Sequence, residues 1–453
     1  MEAIAVTAIF DIGKTNKKFF LFDQNLHPVF QTNQTLATIP DEDSEPCESL
    51  EALTQWMKAT LEDAMAMSQF RIRRLNFTSY GASFVHIGAD GRPVSPLYNY
   101  LKKYPEDVLG QFYAQYGPVE KFSQQTSSPA LGMLNSGLQL YWLKYAKPAI
   151  FQKIHQSLHL PQYLSFLFTG KAVSEYTSIG CHTGLWDFGK ADYHAWVYRE
   201  GIDSLLPPIV PTHTSFEGKI GDQSLEIGVG IHDSSAALLP YLESNAEPFA
   251  LLSTGTWSIS INPFNAQPLT TEELRQDCLH FLSRDGRPIK ISRLFVGEEH
   301  RVQAELLQTH FGVSQEAYKQ LAFDPSLFEE LKSNRSKRFK FEFLNPAVFG
   351  AEAALETDRN NFQNFAEAYH CLIYELTELQ ILSLSLVLKE TAINKLYIDG
   401  GFSTNPIFVE MLRSKLPGID IETRDYALGT AMGAAMGVDN KKLVFVSRFG
   451  FNQ

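Results

Sequence analysis

An α/β fold of two related domains around a central cleft is predicted by three features of the 453-residue sequence. The chain opens with an apolar run, a glycine turn and a second apolar run, followed by a helical pattern. The same order begins again in the second half, where Gly255 aligns with Gly13, 242 residues later. The length exceeds one ordinary core and suffices for two. The expected domains are residues 1–243 and 244–453.

Each element follows from its local pattern. Residues 4–10 are apolar, 11–17 are polar around Gly13, and 18–22 are apolar and aromatic, which reads as a hairpin. A third strand over 28–35 follows the turn Asp23-Gln24-Asn25. Leu50, Leu53, Trp56, Met57 and Leu61 recur at helical spacing and predict a helix over 50–67. In the second half, strands over 249–252 and 257–261 flank the small polar turn Ser253-Thr254-Gly255-Thr256. A strand, a glycine turn and a strand occur in many α/β proteins, so the repeat gains weight only with further residues. The most apolar run, 379–388, falls well short of the ~20 residues that span a bilayer, and it reads as a buried helix. A strand over 395–398 runs into Asp399-Gly400-Gly401, after which Asn405 is placed to cap a helix with Pro406 at its first position. Seven of residues 427–437 are Ala or Gly (Ala427, Gly429, Ala431, Gly433, Ala434, Ala435 and Gly437), which lets a helix lie close against another backbone.

Composition narrows the class of function. With 44% hydrophobic and 20% charged residues the chain is globular, and a net charge of −12 disfavours nucleic acid and anionic membrane as partners. A small molecule is the expected ligand. Cys47, Cys181, Cys278 and Cys371 are scattered and read as free thiols. The first residues lack the pattern of a signal peptide, and the expected location is cytoplasmic.

Three segments can carry chemistry. In Asp11-Ile12-Gly13-Lys14-Thr15-Asn16-Lys17-Lys18, a glycine turn can aim backbone N–H groups at a phosphate while Lys14, Thr15, Asn16 and Lys18 add donors and charge. Asp11 would face those phosphates productively only through a hard cation such as Mg²⁺. The same residues would also suit a solvated hairpin turn. The turn Thr254-Gly255-Thr256 offers a second, uncharged phosphate clamp. No P-loop and no dinucleotide fingerprint occurs, so phosphate binding has to use these hairpins. The third segment is Gly230-Ile231-His232-Asp233-Ser234-Ser235, where Asp233 could be the N-cap of a helix, a proton acceptor for an attacking hydroxyl, or both. Phosphoryl transfer is loose and demands little basicity of such a group.

Taken in order along the chain, these segments resemble the FGGY family of carbohydrate kinases. The resemblance also rests on Tyr80-Gly81-Ala82-Ser83, Gly91-Arg92-Pro93, Leu160-Pro161-Gln162-Tyr163, Gly201-Ile202-Asp203, Asp399-Gly400-Gly401 and Ala427-Leu428-Gly429-Thr430-Ala431. It implies two ribonuclease-H-like domains of the actin-like ATPase kind, with ATP and Mg²⁺ as cofactors. In this reading Asp233 is the base, and Asp11 and Asp233 hold the metal. Gly13, Lys14, Thr15, Asn16, Lys18, Thr254, Gly255 and Thr256 contact phosphate, and Gly400, Gly401 and Asn405 lie near the adenosine. Gly81, Ala82, Ser83 and His232 contact the sugar. Two departures stand out. Tyr98-Asn99-Tyr100-Leu101-Lys102 replaces the Trp-x-Asp-x-Arg that many members carry, and Phe402 stands where a third Gly is frequent. His232 beside Asp233, with Trp257 after the second turn, is closest to the rhamnulokinase and fuculokinase branch. The expected acceptor is therefore O1 of an L-ketose such as L-rhamnulose or L-fuculose. The alternatives are xylulose, ribulose or glycerol as acceptor, or a catalytically silent regulator that binds sugar and ATP. Trp257 could equally be a core residue.

Overall fold

The structure is a computed structural model that describes residues 3–221, 223–245, 247–334, 336–424 and 428–438. Two compact units emerge: one from the described residues of Met1–Ala246, Phe281–Pro288 and Leu428–Gln453, the other from those of Glu247–His280 and Ile289–Ala427.

The first unit is built on a seven-stranded sheet. Its strands are β1 (Ile4–Ile12), β2 (Asn16–Phe22), β3 (Pro28–Thr35), β4 (Phe70–Ser79), β5 (Ser215–Ile220), β6 (Gln223–Gly228) and β7 (Ile231–His232). They lie in the order β5-β6-β4-β1-β2-β3, with β7 pairing beside the end of β4. β1 is antiparallel to β2 and parallel to β4. Strand alternation sorts its side chains onto two faces. Ala8, Phe10 and Ile12 join Phe19 and Leu21 against Leu53, Met57 and Leu61 of the helix Leu50–Ala66. Ile9, Phe20 and Phe22 turn the other way, against Ala236 and Leu239 of the helix Asp233–Ser244 and Ala431 and Ala434 of the helix Gly429–Gly437. These two helices meet backbone to backbone, since a Cβ on Gly433 would stand 1.8 Å from the Ala236 carbonyl oxygen. That is the close approach the small residues predict. Ala427, assigned by the sequence to this segment, lies outside the described residues. Asn76 on β4 ties the region together, donating to the Ala434 carbonyl at 2.7 Å and accepting from the Gly230 N–H at 3.1 Å.

Both strands of the opening hairpin run further than the apolar pattern suggests. Asp11 pairs with Lys18 and Ile12 with Lys17 in the ladder, leaving a turn of only residues 13–15. Polar side chains near a hairpin tip are compatible with continued backbone pairing, which the hydrophobic pattern does not report.

The second unit repeats the arrangement. Its sheet is formed by β8 (Ala250–Thr254), β9 (Ser258–Asn262), β10 (Cys278–Leu282), β11 (Pro288–Leu294), β12 (Lys395–Gly400) and β13 (Asp420–Thr423), in the order β10-β11-β9-β8-β12-β13, with Phe281, Leu282 and Pro288 of β10 and β11 counted in the first unit. As in the first unit, the hairpin β8-β9 has a parallel strand, β12, on the other side of its first strand. The core helix is Phe365–Leu388, 24 residues rather than the ten of the apolar run. The charged residues that precede the run within the helix are paired: Glu367 with Lys337, Glu375 with Arg338 and Glu378 with Lys415. By length and composition this helix could cross a bilayer, yet 67% of its apolar window is buried within the protein. The helix Pro406–Lys415 begins as expected, with Asn405 Oδ1 accepting from the N–H groups of Ile407 and Phe408.

Candidate functional site

In the first unit the site follows from strand parity. Lys17 and Lys18 are sequence neighbours on opposite faces of β2. Lys18 shares a face with Phe20 and Phe22 and stands across from Asp11. On that face the helix Asp233–Ser244 begins, with Asp233 as its first residue. Asp233 is therefore not the N-cap. His232 holds the cap position without a side-chain capping bond, and the Asp233 carboxylate accepts from the adjacent Ser234 N–H at 2.6 Å. Burial lifts the Asp11 carboxyl from its ordinary 3.8 to about 6; Lys18 opposes the shift and the negative charge of Asp233 adds to it. Two carboxylates and a lysine thus influence one another beside the turn.

His232 is buried, with Nε2 3.2 Å from Asp233 Oδ1 and 3.3 Å from Cys181 Sγ. Gly81 is pressed against this pair, since a Cβ there would lie 3.0 Å from His232 Nε2 and 3.1 Å from Cys181 Sγ. Ala82 adopts a left-handed conformation with φ 59° and accepts from Gln139 through its carbonyl. The Ser83 hydroxyl is buried without a hydrogen-bond partner. All four cysteines are buried and outside any disulfide.

Turn 13–15 is embedded in a charged and aromatic surround that sequence reasoning missed. Lys14 reaches back over the rings of Tyr80 and Tyr100, at 5.2 and 4.9 Å, and lies 3.5 Å from Glu48. Burial lowers its ammonium below the usual lysine range, against the pull of Glu48. Thr15 and Asn16 are exposed. Lys17 is buried on the other face and pairs with Glu48 at 2.6 Å. The signal that could have found this pair is the parity of β2, which turns Lys17 toward the start of the helix Leu50–Ala66. Of the segment in place of Trp-x-Asp-x-Arg, Lys102 is bound by Asp41 and Asp43, at 2.5 and 2.6 Å, and the Tyr98 hydroxyl by Glu42. Tyr100 faces the charges instead: burial raises its phenol, and Asp233 and Glu48 add to the shift.

The second unit has its own turn, residues 255–257 between β8 and β9. Thr254 is buried, and its hydroxyl donates to the Asp399 carbonyl at 2.5 Å while accepting from the Phe402 N–H at 3.0 Å. Gly255 and Thr256 are exposed. Gly400, with φ 83°, comes so near that a Cβ would lie 1.8 Å from the Thr254 carbonyl oxygen, and Gly401 is open. Asn405, besides capping its helix, donates to the Tyr369 hydroxyl at 2.9 Å. Phe402 points into the core against His300 and Phe408 rather than outward. Trp257 is 45% exposed and rests on Phe295, so it is not a core residue.

Residues 6–230 match the N-terminal domain of the FGGY family of carbohydrate kinases. Over 234 residues the chain is 27% identical to a rhamnulokinase of Pectobacterium carotovorum, a stretch covering 47% of this chain and 45% of that protein. The chain thus spans less than half the length of the curated relatives it matches. Among solved structures, a carbohydrate kinase from Novosphingobium aromaticivorans superposes with a TM-score of 0.80 at 23% identity, covering 95% of this chain and 93% of the other. A xylulose kinase from Lactobacillus acidophilus superposes with a TM-score of 0.74 at 15% identity, covering 97% and 91%. The chain shares the fold of these two proteins.

Proposed function

We propose that this chain, which belongs through residues 6–230 to the FGGY family of carbohydrate kinases, transfers the γ-phosphate of ATP to a hydroxyl of a small sugar. The observation that carries this reading is the meeting of Asp11, Lys18 and Asp233 on one face of the first sheet, beside a glycine turn. Asp233 accepts the proton of the attacking hydroxyl, a task that requires placement more than basicity. Its place is set by the start of a helix and by His232. The donor set suits a hard divalent cation, because the raised Asp11 carboxyl beside Asp233 marks a concentration of negative charge that a cation would relieve. Mg²⁺ held by Asp11 and Asp233 would supply the positive charge that two carboxylates withhold from a phosphate.

In this reading residues 1–243 carry the sugar and the first phosphate turn, and residues 244–453 carry the rest of the ATP site. Gly13, Lys14, Thr15, Asn16 and Lys18 take phosphate oxygens, as do Thr254, Gly255 and Thr256. Gly400, Gly401 and Asn405 flank the adenosine, and Gly81, Ala82, Ser83 and His232 line the sugar. The acceptor we propose is O1 of L-rhamnulose or L-fuculose. It is supported by the rhamnulokinase names of the curated relatives and by the histidine adjoining the base.

The test is a Mg²⁺- and ATP-dependent ADP-release assay over L-rhamnulose, L-fuculose, D- and L-ribulose, D- and L-xylulose and glycerol. A deoxyketose is expected to give the highest kcat/KM. A higher value for another acceptor would overturn the substrate and leave the kinase standing. No sugar-dependent ADP release from any of them would favour the silent regulator.

A further inference from the structure

We propose that Lys17 and Glu48 are positioning residues that shape turn 13–15 into a phosphate-binding nest, an inference that rests on the kinase reading above. The Lys17 side chain is 2% exposed and cannot itself reach a ligand in solvent. Its ammonium donates to the carbonyl of Gly13 at 3.0 Å and to the carbonyl of Lys14 at 3.0 Å, and it forms an ion pair with Glu48 Oε2 at 2.6 Å. Glu48 is held in turn by the Tyr80 hydroxyl, which donates to Oε1 at 2.7 Å.

The consequence follows from peptide geometry. In a trans peptide the C=O of one residue and the N–H of the next point in opposite directions. With the Gly13 and Lys14 carbonyls drawn inward to Lys17, the N–H groups of Lys14 and Thr15 are turned outward. Successive N–H groups directed to one side of a turn make an anion-binding concavity. Glu48 offsets the charge of the buried ammonium, so the turn is braced from beneath by an ion pair. The side chains that meet the phosphate are then Lys14, Thr15, Asn16 and Lys18; Lys17 acts through the backbone, while Glu48 also lies 3.5 Å from the Lys14 ammonium.

The test uses the full chain and titration calorimetry with Mg·ADP. Lys17→Met with Glu48→Gln removes both charges at once and leaves apolar bulk among Phe19 and Leu21, so the fold is expected to persist. In this double variant the Kd for Mg·ADP is expected to rise at least tenfold, while the KM of the best sugar stays within twofold. Glu48→Gln alone keeps both carbonyl bonds and is expected to weaken Mg·ADP binding at least threefold but less than the double variant. Nucleotide affinity within twofold of wild type, in the double variant or, should that fail to fold, in Glu48→Gln, overturns the proposal. Equal losses of sugar and nucleotide affinity overturn it too, since they mark a general structural role. If wild type itself neither binds Mg·ADP nor turns over any sugar, the kinase reading falls and takes this inference with it.

Discussion

The two glycine turns sit at equivalent points of two similar hairpins but are braced by different physics. Beneath residues 13–15 a buried ammonium gathers two carbonyls, and a carboxylate neutralises it. Residues 255–257 are braced instead by contact: a Cβ on Gly297 would fall 1.9 Å from the Gly255 carbonyl oxygen, and Gly400 stands as close to Thr254. The buried Thr254 hydroxyl links β8 to β12. A charge brace depends on its ion pair and tolerates small steric change. A contact brace is indifferent to charge and fails when a single methyl group is added. The first unit also concentrates the ionisable chemistry, so its substitutions should act mainly on turnover, and those of the second unit mainly on stability.

The largest expected effect belongs to Asp233→Asn. A lost general base typically costs 10²–10⁴ in rate, so kcat should fall by about that factor, while Mg·ADP affinity measured by calorimetry changes less than about threefold. Retention of wild-type turnover would show that the face shared by Asp11, Lys18 and Asp233 does not carry the reaction.

The next effect separates the two braces. Gly297→Ala forces a methyl group into a backbone carbonyl and is expected to destabilise the protein by about 3 kcal/mol or more. The equivalent change in the first turn, Gly13→Ala, brings a Cβ only to 3.0 Å from the Asn16 carbonyl oxygen and is expected to cost about 1 kcal/mol. Chemical denaturation of both variants measures the difference. Equal losses would remove the distinction between a charge brace and a contact brace.

Much of this was legible in the chain. The hairpins, the capped helix at Asn405 and the close-packed helix Gly429–Gly437 each follow a local pattern of periodicity, capping or small residues. Asp11, Gly13, Lys18 and Asp233 stand out as candidates because their types suit phosphate transfer. What stayed hidden depended on partners remote in sequence. Glu48 looks like an ordinary acidic residue before a helix until Lys17 is turned toward it. Lys102 looks free until Asp41 and Asp43 are seen to hold it. Phe402 looks like a change in a ligand loop, yet its ring is a core residue. Helix onset was misplaced by one residue at Asp233, because an Asp before Ser-Ser-Ala-Ala satisfies the rules for an N-cap and for a first-turn residue equally well.

The smallest expected effect concerns Asp11 and pH. Its carboxyl titrates near 6 in the folded protein and near 3.8 when exposed, chiefly because burial disfavours the charge. A group whose folded value is raised favours the folded state fully at low pH, and that contribution is lost as pH rises through about 6. The ligand-free wild type should therefore lose stability between about pH 4 and pH 7 through this residue. The amount is about 1–2 kcal/mol once solvent screening of a partly exposed carboxylate is allowed for. Asp11→Asn has no charge to bury, so it should be more stable than wild type at pH 7 by that amount and equal to it at pH 4. Mg·ADP should stabilise wild type at pH 7 and have less effect on the variant, since the cation proposed to offset the carboxylate in one would lose a ligand in the other. Denaturation profiles of the two proteins across this pH range measure the effect. Parallel profiles would show that burial at the end of β1 does not disfavour the charge, and would leave the first unit without the strain that a metal ion is proposed to relieve.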